Sequence, residues 1–554
     1  MGFEKGMEYL RNRKWLGMLL VLMLSLTWLT ACNSNNGNTP ENTEAKEGNT
    51  GTNAAKTEEP APEPEPAPVP QTLTVGIEAE PTSMNPFNST DGNSTGVQGS
   101  MFEGLLKLDQ NMKIQPLLAT EYVVSPDAKS VTFTLREGVT FHDGSKLTAQ
   151  VVKDGLDFVR NKDNKMARAS FFSFIEDIKV VDELHLTISS KDANSAMAAY
   201  MTHSAGSVIS PLELDKKKKD PNYNLDRSPV GTGPYKFAEW KDGQYVKVVP
   251  YDGYWNAEGK AKLESITYKP VTEASTRINM LKTGELDIVK NVPSLSAKEL
   301  EGSADLDISK TPSMDVYYVG ANITKKQYNK DVRQAMNYAL DKEQLIAQVV
   351  NGYGRIADSA IAPNVVGYTA QTPYAFDVEK AKELMKKGGY EKGFDATLWT
   401  RNETEFIAVA ENVSIQLSKI GINAKVVPLE SGTMFDKLDA GKETDMYIGR
   451  WSPGTGEADW GLRPNFHSTR IPPNYNNSNF YVNKEVDKLL DEALATPDAA
   501  KTQEIYANVQ KIIFEDAAWT FLYSPESIVG KRKNVANVVI IPNGYMDLNN
   551  VTKE

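Results

Sequence analysis

The sequence predicts an α/β fold, and three observations carry that reading. Between Asp395 and Ile448, apolar strands and amphipathic helices alternate without interruption, the pattern of parallel strands joined by crossover helices. In the first half, short runs of alternating apolar and polar residues are separated by helical stretches. The chain has 554 residues with 40% hydrophobic content, enough to bury a large core divided into two to four lobes.

The N-terminus comes first. Lys5, Arg11, Arg13 and Lys14 form a positive segment ahead of an apolar run from Trp15 to Leu29. That run is too short and too early for the usual membrane span, and Leu29-Thr30-Ala31-Cys32 closes it with small residues. The segment resembles a bacterial lipobox, which implies that residues 1–31 are a signal peptide and that Cys32 is acylated as the first mature residue. The alternative is an ordinary signal peptide with an incidental cysteine. Cys32 is the only cysteine, so none is left for a disulfide, a thiolate zinc site or a thiol nucleophile. Residues 32–71 read as a disordered tether, because Asn, Thr, Glu, Ala, Gly and Pro cannot offset the entropy of ordering. From Glu59 to Pro70 the prolines predict a semi-rigid polyproline II spacer of about 3.1 Å per residue. A globular body held off a membrane in this way suits a Gram-positive outer surface.

The folded body begins at Thr72, where T-L-T-V-G-I alternates as a strand. Val131 to Leu135, Leu184 to Ile188, Tyr245 to Val249 and Leu263 to Tyr268 alternate in the same way. Helical spacing appears at Ala149 to Arg160, at Glu273 to Lys282 with Gly284 just beyond, and at Asp331 to Val350. The βαβαβ unit then runs strand Asp395 to Trp399, helix Glu403 to Lys419, strand Asn423 to Pro428, helix Thr433 to Ala440, strand Asp445 to Ile448. It predicts a largely parallel sheet. The net charge of −12 argues against a nucleic-acid partner, and the one basic run, Lys216 to Lys219, reads as a solvated face or turn.

Parallel sheets bind ligands outside the carboxyl ends of their strands. Two segments occupy such ends: Thr400-Arg401-Asn402, and a loop from Gly449 to Pro464 that mixes two arginines, two tryptophans, two acids and two hydroxyls. Arg401, Arg450, Trp451, Thr455, Glu457, Asp459 and Arg463 are expected to converge on one crevice, with Thr400, Ser452 and Trp460 completing the set. Arginines there fork onto carboxylates, each such contact worth roughly 1.5–3 kcal/mol, while Glu457 or Asp459 receives an ammonium. Tryptophan faces cover an extended backbone. The ligand so described is a zwitterion or anion of peptide character. The competing reading is a long surface loop whose tryptophans fill nearby core, with Arg401 in an exposed ion pair with Glu403 or Glu405.

Several motifs in order along the chain add a resemblance. They are Met101-Phe102-Glu103-Gly104-Leu105, Phe141-His142-Asp143-Gly144 with Leu147-Thr148-Ala149, Pro229 to Tyr235 (P-V-G-T-G-P-Y), Leu281 to Val289 (L-K-T-G-E-L-D-I-V) and Val332 to Asp341 (V-R-Q-A-M-N-Y-A-L-D). From Thr72 to Glu554 the chain resembles the peptide and nickel family, family 5, of extracytoplasmic solute-binding proteins, the receptors of ABC importers. Gly454-Thr455-Gly456-Glu457-Ala458-Asp459-Trp460 with Arg463-Pro464 is most similar to its glutathione-binding branch.

The resemblance implies a two-lobed periplasmic-binding-protein-like fold of type II, in the large class with an extra subdomain and a ligand cleft between the lobes. The chain would cross between lobes near Val316 to Val319 and Trp519 to Tyr523. Residues 72–315 plus 522–554 would form the first lobe and residues 316–521 the second. It further implies a monomeric binding protein without cofactor, not an enzyme, whose partners are a small peptide and a permease with its ATPase. Ser83 and Met84 would face the cleft. Dipeptide-binding relatives place an amine-binding aspartate where Gly454 stands, and their carboxylate-binding arginine falls near Thr400, so amine capture would move to Glu457 or Asp459. Glutathione fits that altered set.

Other classes are weighed against this one. Longer oligopeptides, nickel and haem are cargoes of the same family, and a surface lipoprotein holding adhesive or unfolded partners needs no import. Gly92-Asn93-Ser94-Thr95-Gly96 matches the G-x-S-x-G pattern of serine hydrolases, but Pro86 to Asp91 reads as a loop where that motif needs a strand. His142, His185, His203 and His467 are scattered and no Cys joins them in a metal site. Asp143 reads as a turn aspartate and Thr148 as a helix N-cap.

Overall fold

A computed structural model describes residues 70–554, except 442, 474 and 475. The expected signal peptide, Cys32 and the expected tether up to residue 69 lie outside the described residues. At the start of the described chain, Gln71 pairs with the C-terminal end: its Nε2 donates to Lys553 O at 2.8 Å and its Oε1 accepts from Lys553 N at 3.1 Å. No helix among the described residues is long and apolar enough to cross a membrane.

Twelve strands form one mixed sheet. They are β1 (Thr72–Ile77), β2 (Tyr235–Lys241), β3 (Tyr245–Pro250), β4 (Ser265–Pro270), β5 (Ile288–Lys290) and β6 (Leu306–Pro312), then β7 (Val316–Ala321), β8 (Gly354–Ile356), β9 (Phe394–Arg401), β10 (Ile422–Leu429), β11 (Met446–Trp451) and β12 (Thr520–Arg532). The order is β10-β9-β11-β7-β12-β5-β1-β4-β3-β2, with β6 and β8 also paired to β12. A separate four-stranded antiparallel sheet holds Ala119–Val124, Ser130–Leu135, His185–Ser190 and Ile175–Val180.

The expected βαβαβ unit is present, with β9 central and parallel to both β10 and β11. The expectation of a largely parallel sheet is corrected. β1 is also parallel to β4 and β5, but the remaining pairings are antiparallel, among them those of β12, which runs through the centre against β7 and β8 at its start and β5 and β6 further on. One strand of 13 residues therefore carries the sheet from its C-terminal βαβαβ part into its N-terminal part.

Among the helices of the described residues are α1 (Ala149–Arg160), α2 (Ala274–Thr283), α3 (Lys330–Ala339), α4 (Lys342–Val349), α5 (Thr404–Ser418), α6 (Ser431–Ala440), α7 (Ala458–Phe466), α8 (Lys484–Leu494) and α9 (Ala499–Glu515). Thr148 caps α1 by accepting from Val151 N, and Gly284 ends α2 with φ of 85°, a left-handed conformation that glycine adopts without steric cost. The helix expected over Asp331 to Val350 is two helices. Leu340 leaves helical geometry, and Asp341 starts α4 by accepting from Gln344 N. Lys216 to Lys219 fill the last turn of the helix Pro211–Lys219, where their charge complements the helix dipole.

The recurrent motifs hold the body together. Glu103 is buried and accepts from Thr232 Oγ1 at 2.8 Å, Tyr254 OH at 2.7 Å and Trp255 Nε1 at 2.9 Å. Burial raises its pKa despite those donors. Gly231 and Gly233 lie so close to the Met101 backbone that a Cβ on either would collide with it, at 2.2 Å and 2.8 Å. In α3, Arg333 donates to the carbonyls of Tyr328, Asp516 and Ala517, and Asn337 donates to Trp519 O and accepts from Phe521 N. These bonds fix the chain where it enters β12.

Both faces of the C-terminal part of the sheet are packed. On one face Phe406, Val409, Val413 and Leu417 of α5 bury against Leu398, Met446 and Ile448. On the other, Trp399, Tyr447, Val316 and Tyr318 meet Leu462 and Phe466 of α7 and Trp519. Strand alternation alone assigns these residues to their faces.

Candidate ligand-binding site

The carboxyl ends of β9 and β11 bring two guanidinium groups to one ring. Arg401, the last residue of β9, lies 3.7 Å from the centroid of Phe406, and Arg450 of β11 lies 5.9 Å from the same ring. Arg401 Nη1 is 3.3 Å from Glu403 Oε1, and Arg450 Nη1 is 3.7 Å from Asp315 Oδ2. Arg450 is paired in register with Tyr317, whose ring stacks on Tyr523 at 4.6 Å; Tyr523 OH donates to Glu405 at 2.9 Å. Burial lowers the Arg401 pKa, and the neighbouring Arg450 charge adds to it. For Arg450 burial acts in the same sense but Asp315 and Tyr317 outweigh it, so its pKa is raised.

The stretch from Gly449 to Pro464 is not one loop. β11 extends through Trp451, residues 452–457 form a short connection, and α7 begins at Ala458 and carries Pro464 inside it. Because β11 is a strand, Arg450 and Trp451 point to opposite faces, and Trp451 packs on the side of Tyr318 and Trp519. The named residues thus lie around two places, Arg401 and Arg450 beside Phe406 and the others around the connection to α7.

The second group is built by local chemistry. Gly456 has φ of 73°, and a Cβ there would lie 2.6 Å from Met112 Cε, so both the backbone and the space call for glycine. Glu457 caps α7, accepting from Asp459 N at 2.6 Å and Trp460 N at 2.9 Å, and takes a third bond from Thr455 Oγ1 at 3.1 Å. Burial, with the nearby Asp459 charge, pushes its pKa up to about 7. Asp459 is nearly buried and receives Arg463 Nε at 2.9 Å and 3.0 Å, while Arg463 Nη1 and Nη2 reach Asp491 and Leu490 O on α8. Asp459 and Arg463 thus satisfy each other. Trp460 is set against Phe171 at 5.4 Å and Tyr200 at 5.7 Å, and Gly454 lies against His203. Ser452 is exposed.

Three residues from the expected set are interior. Thr400 is fully buried and donates to Phe406 O at 3.0 Å. Ser83 donates to Asp226 Oδ1 at 2.8 Å, and the backbone N–H of the fully buried Met84 donates to Asp226 O at 2.8 Å. In contrast His203, which meets Gly454, and Phe171 and Tyr200, which meet Trp460, lie more than 250 residues before their partners and gave no local signal in the sequence.

The features that suggested other chemistry are occupied structurally. Ser94 sits in the helix Gly92–Gln98; its hydroxyl donates to Asp91 at 2.6 Å and accepts from Thr82 N at 2.9 Å and Ser83 N at 3.2 Å. His142 lies between Gly231 N, at 3.3 Å, and Gly233 O, at 3.0 Å, and burial lowers its pKa to about 4. Asp143 accepts from Ser145 N and from the hydroxyls of Ser145 and Ser210, as a turn aspartate does. No group of three or more His, Cys, Asp or Glu suited to a metal ion occurs among the described residues.

Residues 113–473 match the family described as bacterial extracellular solute-binding proteins, family 5 middle. The chain is 37% identical to the glutathione-binding protein GsiB of Pectobacterium atrosepticum, over 83% of this chain and 90% of that one. It is 35% identical to GsiB of Salmonella typhi, over 85% and 92%. A dipeptide-binding protein from Pseudoalteromonas sp. SM9913, solved in complex with Met-Leu, is 27% identical with a TM-score of 0.76, covering 87% of this chain and 100% of that one. The periplasmic binding protein DppA of Helicobacter pylori, in complex with the peptide STSA, is 26% identical with a TM-score of 0.73, covering 87% and 98%. With its α/β two-lobed architecture and this similarity, the chain belongs to the family 5 bacterial extracellular solute-binding proteins, the binding components of ABC importers rather than enzymes.

Proposed function

We propose that this protein captures a short peptide, glutathione foremost, outside the cytoplasmic membrane and delivers it to an ABC permease and its ATPase. The observation that carries the ligand class is the pair Arg401 and Arg450, two guanidiniums beside one ring at the carboxyl ends of neighbouring parallel strands. Glutathione presents two carboxylates and one ammonium, and each carboxylate finds a guanidinium there. The relatives that carry the name glutathione-binding protein support the same choice. Glu457 is the acid left for an ammonium, since Asp459 is neutralised by Arg463. Trp451, Ser452, Thr455 and Trp460 frame that side of the site.

In this reading, residues 72–315 with 522–554 form one lobe and residues 316–521 the other, and ligand contacts from both favour the closed form that the permease senses. Residues 1–31 are the signal peptide, Cys32 carries the lipid, and residues 32–71 tether a monomeric receptor to the outer face of a Gram-positive membrane. A thermal-shift series on residues 71–554 tests the ligand class with glutathione, γ-glutamyl and α-linked dipeptides, longer peptides and Ni²⁺. A ligand at about 100 times its Kd adds about 2.7 kcal/mol of stability. A shift with glutathione supports the reading; a shift confined to long peptides or Ni²⁺ overturns it.

A further inference from the structure

We propose that His203 is a ligand-contacting, specificity-determining residue whose imidazole Nε2–H, beside the bare backbone of Gly454, donates to a carbonyl or carboxylate oxygen of the bound peptide. The inference rests on the short-peptide reading above and adds to it a donor that the chain order does not suggest.

The ring's orientation is fixed from its own loop. His203 Nδ1 accepts from Ala205 N at 3.0 Å, capping the turn Ser204–Gly206. A neutral imidazole that accepts at Nδ1 carries its proton on Nε2. Phe171 lies against the ring with centroids 4.6 Å apart, which blocks the ring from swinging away. Nε2 has no hydrogen-bond partner among the described residues, although the side chain is half-buried.

The edge that carries this proton lies beside a residue that has no side chain. A Cβ built on Gly454 would lie 3.3 Å from both Cδ2 and Nε2, so the Cδ2–Nε2 edge is the one turned to the loop. Any larger residue at 454 has to push the imidazole aside. With glycine at 454, the Cδ2–Nε2 edge keeps its place beside the connection between β11 and α7. That N–H sits on a neutral ring, because burial, with the Arg168 charge adding to it, lowers the ring's pKa to about 3. A neutral donor offers a hydrogen bond to an acceptor oxygen and nothing to an ammonium. Three residues further along the same connection, Glu457 provides the opposite pole, and Trp460 with Phe171 supplies flat apolar walls. Donor, acid and ring faces together suit a peptide lying with a carbonyl toward His203.

The capping role of Nδ1 and the proposed role of Nε2 are separable. In His203→Asn the side-chain oxygen can still accept from Ala205 N, while the amide N–H ends short of the position that Nε2–H reaches. The experiment titrates glutathione into wild type, His203→Asn and Gly454→Ala by calorimetry, and follows the imidazole nitrogens of ¹⁵N-histidine-labelled wild type by NMR. The expected result is binding about three- to tenfold weaker in both variants, with an unchanged melting temperature for His203→Asn, and a shift of the His203 Nε2–H resonance on glutathione addition. Wild-type binding with neither a weakened His203→Asn nor a moved Nε2–H resonance overturns the role of His203 and leaves the peptide reading standing. A wild type that does not bind glutathione but binds another short peptide moves the same test to that peptide's carbonyl, and a wild type that binds no peptide overturns both. If His203→Asn fails to fold, the NMR shift in wild type alone decides.

Discussion

Asp459 and Arg463 form a buried ion pair one helical turn apart, with Nε 2.9 Å and 3.0 Å from the two carboxylate oxygens. Their attraction offsets the desolvation of both groups only while both are present. Arg463→Leu leaves a buried carboxylate without its partner and is expected to cost about 3–5 kcal/mol, read as a lower urea midpoint. The double variant Asp459→Leu with Arg463→Leu recovers a large part of that loss, because no charge is then left buried. A double variant less stable than Arg463→Leu would show that the pair is net stabilising beyond its own neutralisation.

Glu457 gives the protein a pH dependence of predictable sign. Its pKa is raised from 4.5 to about 7 in the folded chain, so between those values the folded chain holds a proton that the unfolded chain has released. Its contribution to stability is fully present below about pH 4.5, falls as pH rises to about 7, and is constant above. Glu457→Gln keeps an oxygen to cap α7 and removes the titration. Denaturation midpoints measured from pH 5 to 8 should therefore converge or cross, with the variant gaining on wild type as pH rises. Parallel curves would exclude a raised Glu457.

The same group links ligand to protons. If Glu457 receives the ligand's ammonium, ionising it on binding releases part of a proton at pH 7. Calorimetry in two buffers of different ionisation enthalpy measures that release, and it should vanish in Glu457→Gln. An identical proton count in both proteins would place the ammonium elsewhere.

Gly449 is required for a reason that has nothing to do with ligand. A Cβ there would lie 2.2 Å from Tyr318 Cζ, and Tyr318 stacks on Trp519 with centroids 3.5 Å apart and planes 6° from parallel. Gly449→Ala is expected to cost about 1–3 kcal/mol by forcing that stack apart. The loss should appear in the melting temperature and in the near-ultraviolet circular dichroism.

The βαβαβ unit was legible because its strands and helices each keep one hydrophobic period, and the observed ends differ from the expected ones by only a few residues. The break between α3 and α4 was also written in the chain, since Asp341 followed three residues later by Gln344 is a cap signature that the continuous helical period masked. α7 was obscured because Gly461 and Pro464 are poor helix formers, and only its packing in the core makes the segment helical. Asp459 and Arg463 stand four apart, which is the spacing of a helical ion pair, and that signal was present. The division of the site residues into two groups was not readable, because it depends on β11 running on to Trp451 and so sending Arg450 and Trp451 to opposite faces. Nor could any local pattern join His203 to Gly454, since that contact belongs to the tertiary fold alone.

The central claim is capture of a short, carboxylate-bearing peptide by the arginines at the strand ends. Calorimetric titration of residues 71–554 with glutathione, repeated on Arg401→Ala and Arg450→Ala, tests it most directly. Wild type should bind without turnover of the ligand, and each variant should bind about tenfold or more weakly, the loss expected for one charge-assisted contact of roughly 1.5–3 kcal/mol. Affinity in both variants equal to wild type, or hydrolysis of the ligand, would contradict it.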